Sequence, residues 1–212
     1  MTSCESFAEQ IKELITVIVA SDALHAKWLN TLSYLENSGA RKIAACEHPT
    51  LVKEEMIKHA AEEFRHAHHL KRQINRVSKD PMDTYSLDLM LGSTASLNYI
   101  KALDVKTSRY LGKCNLSKEA SYILVTYAIE LRAQELYPIY DEVLRKKRSP
   151  VAVKSIVLEE KEHLDEMKKA LHQIPSGFIH AENVSAIEKN LCKQWLLAIK
   201  ESISNHQIDA FR

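Results

Sequence analysis

Two Glu-x-x-His pairs carry the most distinctive chemistry in the chain: Glu63-Phe64-Arg65-His66 and Glu160-Lys161-Glu162-His163. A lone glutamate precedes each, Glu36 by 27 residues and Glu130 by 30. On a helix, residues three or four apart share a face, so each pair can aim a carboxylate and an imidazole at one point. Four carboxylates and two imidazoles converging between four helices would hold a pair of iron or manganese ions. Oxygen and imidazole donors without a thiolate suit these metals better than copper. Unpaired, the four carboxylates would be costly to bury or would take up protons, whereas two divalent cations neutralise them.

These residues require helices, and the sequence supplies them. With only 4 Gly and 5 Pro in 212 residues, the chain lacks the turns of a β-rich fold and reads as all-α. The first predicted helix covers about residues 6–46, with a break near Ser21-Asp22, and Pro49 ends it. Thr50 is placed to cap a second helix, with Glu54 and Glu55 in its first turn, that runs to about Val77. A third is expected from Ser86 to Leu111, closing at Gly112. Ser117 caps a fourth that runs to Lys147. Ser149-Pro150 reads as the opening of a fifth, closed by Pro175-Ser176-Gly177. The capping box Ser185-Ala186-Ile187-Glu188 starts a sixth. The expectation is one domain over 1–212: two antiparallel hairpins joined by a long helical crossover, with an extra C-terminal helix outside.

Helical spacing puts each candidate ligand on an inward stripe free of Lys and Arg. One stripe holds His25, Leu29, Leu32, Glu36, Gly39 and Ile43; another holds His59, Glu63, His66 and Leu70. Glu130 shares its stripe with Ile123, Tyr127, Ala133 and Tyr137, and Glu160 shares its own with Ile156, His163 and Met167. Glu63 and Glu160 are expected to bridge the ions. Glu62 and Glu159 lie about 100° round the helix from their neighbours and read as solvated. Glu135 competes with Glu130 by position along the chain but lies about 140° away by angle, so Glu130 is preferred. His59, one turn before Glu63, is either a third histidine ligand or a hydrogen-bond partner. His25 is about 16 Å along its helix from Glu36, too far to share the ions. Tyr127 and Tyr137 flank Glu130 and serve either as packing or as a proton or electron relay.

A net charge of +1 gives no global field for nucleic acid or membrane. Cys4, Cys46, Cys114 and Cys192 stand apart, which argues against a disulfide framework or zinc ribbon. The sequence begins without the pattern of a signal peptide and has no long apolar run, so the expectation is a cytoplasmic protein with no membrane partner. Two basic segments, Lys71-Arg72 with Arg76 and Lys79, and Arg145-Lys146-Lys147-Arg148, are expected at one end together with Lys168 and Lys169. They could receive tRNA or complement helix C-terminal dipoles.

The ordered set Glu36, Glu63-x-x-His66, Glu130, Glu160-x-x-His163 resembles the ferritin-like di-metal carboxylate superfamily over about two-thirds of the chain. The resemblance implies a ferritin-like four-helix bundle and a non-haem di-iron cofactor, with manganese as the alternative, that reacts with O2 or peroxide. Glu36 and Glu130 would bind terminally. Glu130-Leu131-Arg132-Ala133-Gln134-Glu135 looks like the third-helix pattern of tRNA hydroxylases, and His59 is similar to the extra histidine of di-iron N-oxygenases. The expected function is an O2-activating oxygenase or hydroxylase with an external electron donor and a small-molecule or tRNA substrate. A homodimer is compatible with the sequence. Its rival is a ferroxidase or peroxide-detoxifying protein of the rubrerythrin or bacterioferritin kind.

Overall fold

The computed structural model describes residues 6–48 and 50–209. Every regular element among them is helical. Helix α1 (Ala8–Val19) and α2 (Asp22–Cys46) meet at the expected break. Ser21 adopts an extended conformation there and its hydroxyl accepts from the Leu24 amide, a side-chain cap for α2. Pro49 and Cys4 lie outside the described residues. Helix α3 (Glu54–Ile74) starts later than Thr50 implies: the Thr50 amide donates to the His48 ring instead, and Lys53 occupies the N-cap without a side-chain bond.

The long connection contains a short 3-10 turn (Leu87–Leu89) and α4 (Ser93–Lys113), rather than the single expected helix. Gly92 makes the division, with φ +76° and Ser96 Oγ only 2.6 Å from where a Cβ would stand. Helix α5 (Lys118–Lys147) has the predicted Ser117 cap, whose hydroxyl accepts from the Ala120 amide, and the predicted end. Helix α6 (Lys154–Leu171) begins four residues beyond Pro150, because Val151 and Val153 are buried in a non-helical link. Helix α7 (Gly177–Asp209) is much longer than expected. The Pro175-Ser176-Gly177 turn that ends α6 also starts α7, and the supposed capping box lies inside it.

Side-chain contacts fix the directions. Ser33 of α2 donates to the Ala67 carbonyl, while Asn30 bonds Lys71, so α2 and α3 are antiparallel. Lys58 meets Glu166 at 2.9 Å and His69 meets the Ala152 carbonyl at 2.7 Å, so α6 runs against α3. Helices α3 and α5 therefore finish together, and the Arg76 guanidinium reaches the Pro150 carbonyl. The two basic segments do share an end, but Lys168 and Lys169 lie at the opposite one, because α6 runs the other way. Several of the grouped cations are already partnered, Arg145 with Asp141, Lys146 with Glu142 and Lys71 with the Met82 carbonyl. Helices α4 and α7 pack on each other, and α7 also packs on α5. No helix among the described residues is long and apolar enough to cross a membrane.

Candidate metal centre

Helices α2, α3, α5 and α6 bring Glu36, Glu63, His66, Glu130, Glu160, His163 and His59 to one place. Their donor atoms form two groups: His59, Glu63, Glu130 and His163, and Glu36, Glu63, His66 and Glu160. Within each group one atom per residue lies within 4.8 Å of the others. Glu63 belongs to both groups. Glu160 stands 3.1 Å from His66 Nδ1 and 3.9 Å from His163 Nδ1. All seven residues are buried except Glu36, which is half-buried.

Four atoms that face this centre are buried without a hydrogen-bond partner among the described residues: Glu63 Oε1, His66 Nδ1, Glu130 Oε2 and His163 Nδ1. Buried polar atoms are rarely left so. His66 Nδ1 and Glu160 Oε1 come within 3.1 Å without hydrogen-bond alignment, as two lone-pair donors do when aimed at a common cation. The donor set fits a pair of divalent ions on this observation alone.

The outer edges of the two imidazoles explain their orientation. His66 Nε2 lies 2.8 Å from Glu159 Oε2 of α6, and His163 Nε2 lies 2.9 Å from Glu62 Oε2 of α3. A carboxylate accepts, so each Nε2 carries a hydrogen, and each Nδ1 faces inward, where its lone pair becomes available to a cation once its proton leaves. Glu62 and Glu159 are therefore not simply solvated, as the angular reading had them. Each sits on the flank where α3 meets α6 and holds the histidine of the opposite helix. The signal was present in the sequence as an acidic residue directly before each Glu-x-x-His.

His59 Nε2 sits 3.1 Å from Glu130 Oε1 and 3.4 Å from Glu63 Oε1, while its Nδ1 is 3.3 Å from the Tyr122 hydroxyl. Tyr122 was missed: it lies two turns before Glu130 on α5, on the flank that meets α3. Tyr137 donates to Glu36 and is buried. Tyr127 is not brought to the cluster; its charged neighbours are Lys168 and Glu182. Glu135 binds Ser6, the Phe7 amide and Arg132, well apart from the cluster. His25 bonds Tyr140 instead, at 2.7 Å.

Electrostatics show what the cluster does without cations. Burial, with the charges of Glu63 and Glu160, pushes Glu36 well above the usual carboxylate range. Burial and Glu160 do the same to Glu130. Glu160 goes the other way: burial opposes its ionisation, but its close neighbours Glu130, His163 and His66 hold it low. Burial works against a charged His163, yet Glu160 and Glu62 push it up to about 9. Protons thus supply positive charge to the cluster.

Beside Glu36 and Glu130 lies a cavity of about 70 Å³ with mostly apolar walls, among them Leu32, Ile100, Leu136 and Trp195. Gly39 and Ala133 open onto it. A Cβ at Gly39 would stand 3.8 Å from Glu63 Oε2, so an alanine would fit there but would take up cavity space. At the rim, Arg132 is neutralised by paired bonds to Glu188 and by Glu135, and Tyr99 donates to the same Glu188.

No family model, curated protein or solved structure matches this chain.

Proposed function

We propose that this protein is a non-haem di-iron oxidoreductase that activates O2 for an oxygenase or hydroxylase reaction. The two donor groups that share Glu63, with their inward-facing orphaned atoms, carry this reading. In the same proposal, α2, α3, α5 and α6 form a ferritin-like four-helix bundle, α4 lies in the crossover between its hairpins, and α7 packs outside. One ion would be held by Glu36, Glu63, His66 and Glu160, the other by Glu63, Glu130, His163 and His59, with Glu160 also in reach of the second imidazole. Bound iron would supply the electrons that reduce O2. Manganese fits the same donors.

The chain's own residues have separable tasks. Glu159 and Glu62 fix the tautomers of His66 and His163. Tyr137 donates to Glu36 and Tyr122 bonds His59, so a phenol from α5 orients a ligand in each group. The mostly apolar cavity walls offer few polar partners to water beside the carboxylates. Those walls favour an oxygenase over a ferroxidase, since an exit for ferric ions requires polar or acidic groups. A cavity of about 150 Å³ accommodates benzene; one of about 70 Å³ favours a small substrate over a nucleobase.

Anaerobic Fe(II) titration followed by an O2 pulse tests the reading. It expects two iron ions per chain, with Glu63→Ala losing both. Fewer than one ion per chain rejects a dinuclear centre. Fast release of ferric oxide, with full turnover and no organic substrate, supports the ferroxidase alternative instead.

A further inference from the structure

We infer that Tyr140 and His25 form a redox-active pair, wired to the cavity beside the metal ligands by Trp195 and Trp28. The origin of the oxidising equivalent, a metal-centred one-electron oxidant, rests on the function proposed above; the wiring does not.

The chain has two tryptophans, and both are in the wire. Trp195 lines the cavity that Glu36 and Glu130 also line. It stacks on Trp28 with centroids 5.8 Å apart. Trp28 meets Tyr140 edge-on at 6.2 Å, and Tyr140 meets His25 at 5.9 Å. All four side chains are at most 2 % exposed. Aromatic packing alone would explain the spacing; the polar atoms give it a direction.

An oxidised indole becomes easier to keep as a neutral radical only if it can shed its N–H proton. Trp28 Nε1 is buried with no hydrogen-bond partner among the described residues. Trp195 Nε1 donates to Ser96 Oγ, a hydroxyl that is itself donating to the Leu91 carbonyl and is no base. Neither tryptophan can release its proton, so a hole on either stays a mobile cation. Tyr140 differs. Its hydroxyl lies 2.7 Å from His25 Nε2 and burial holds that histidine neutral, lowered to about 4, so the phenol donates and the imidazole accepts. In the step, Tyr140 gives one electron to the Trp28 cation and its phenolic proton to His25. The products are a neutral indole, a neutral tyrosyl radical and an imidazolium, and the oxidant upstream has gained one electron. Tyr99 also touches Trp195, at 5.4 Å, but its acceptor Glu188 is engaged by Arg132, and protonating it would cost that ion pair.

Laser photoionisation of the tryptophans in the metal-free protein tests the pair directly. Tryptophanyl absorbance should decay in a first-order step, independent of protein concentration, with matching growth of tyrosyl absorbance. Tyr140→Phe should remove most of that growth, and Tyr99→Phe should leave it. Trp28→Phe should strand a long-lived radical on Trp195. His25→Gln, which accepts a hydrogen bond but not a proton, should slow the transfer several-fold and remove its solvent deuterium effect. Circular dichroism checks that each variant is folded. Unchanged tyrosyl growth in Tyr140→Phe, or its loss in Tyr99→Phe, overturns the proposal. Failure of the protein to bind iron would sink the proposed function but would leave the photolysis result standing.

Discussion

Exchanging Glu62 for Gln should weaken one metal ion and leave the other nearly intact. Glutamine keeps an acceptor for His163 Nε2–H but removes the negative charge that makes the imidazole a stronger donor. Losing such an outer partner typically weakens metal binding about 10–100-fold, or ~1.4–2.7 kcal/mol. The two outer carboxylates should differ. Glu62 is 16 % exposed and its close contact is His163 at 2.9 Å, with Arg65 only at 3.7 Å. Glu159 is 28 % exposed and divides its charge between His66 at 2.8 Å and Arg65 at 2.6 Å. Glu62→Gln should therefore fall toward the upper end of that range and Glu159→Gln toward the lower. The assay is a two-step cobalt(II) titration against a competing chelator. The step weakened by Glu62→Gln should be the one that Glu130→Gln weakens; Glu159→Gln should match Glu36→Gln. Equal weakening of both steps in either outer variant would refute this assignment of ligands.

Metal loading should release protons, since ions must displace those held by His163, His66, Glu36 and Glu130; affinity should rise with pH up to about 9, and an indicator dye in weak buffer reads the release. In the metal-free protein the raised His163 works in the opposite sense: its contribution to stability is complete below the unfolded value of 6.5 and is lost as pH rises through about 9. His25, kept neutral down to about 4, destabilises the fold as pH falls from 6.5 toward 4, by ~3 kcal/mol at the limit; urea unfolding should show a shallower acid loss in His25→Gln. Glu188→Ala should cost about 3 kcal/mol, because Arg132 keeps Glu135 but loses its paired bonds, and a fall in denaturant midpoint measures it. Two equal-area iron-57 Mössbauer doublets are expected for the loaded protein, and His59→Ala should shift only one of them.

The cluster was legible because helical angle is a strong constraint. Glu130 was separated from Glu135 by angle alone, and the fold puts the first in the cluster and the second on Ser6, Phe7 and Arg132. The Ser21 break, the Ser117 cap and the end of α5 are local signals with local causes, and they appear where expected. What stayed hidden depends on partners. Glu62 and Glu159 fall on the flank of a single helix, and only the packing of α3 on α6 turns that flank into an interface. The Ser185–Glu188 pattern looked like a helix start, but Glu188 is held by Arg132 and Tyr99 in mid-helix. Tyr127 and Tyr122 sit on the two sides of the Glu130 stripe, and nothing in the sequence of α5 says which side faces α3.

Exchange of α3 and α6 nearly maps the centre onto itself. Each helix carries Glu-Glu-x-x-His, and each histidine is held by the first glutamate of the other motif. His59 breaks that relation. It adds a second imidazole to the group of Glu63, Glu130 and His163, whereas the opposite group has three carboxylates and one imidazole. Each carboxylate replaced by an imidazole removes one negative charge from the coordination sphere, so the carboxylate-rich side stabilises a more highly charged ion. That side is also the one whose terminal carboxylate, Glu36, accepts from Tyr137, while the cavity borders Glu36 and Glu130 alike. Charge would therefore accumulate on an ion held by Glu36, Glu63, His66 and Glu160, while an ion on the histidine-rich side, beside Tyr122, would be the easier one to keep reduced. A single residue one turn ahead of a repeated motif thus makes two otherwise equivalent positions chemically distinct.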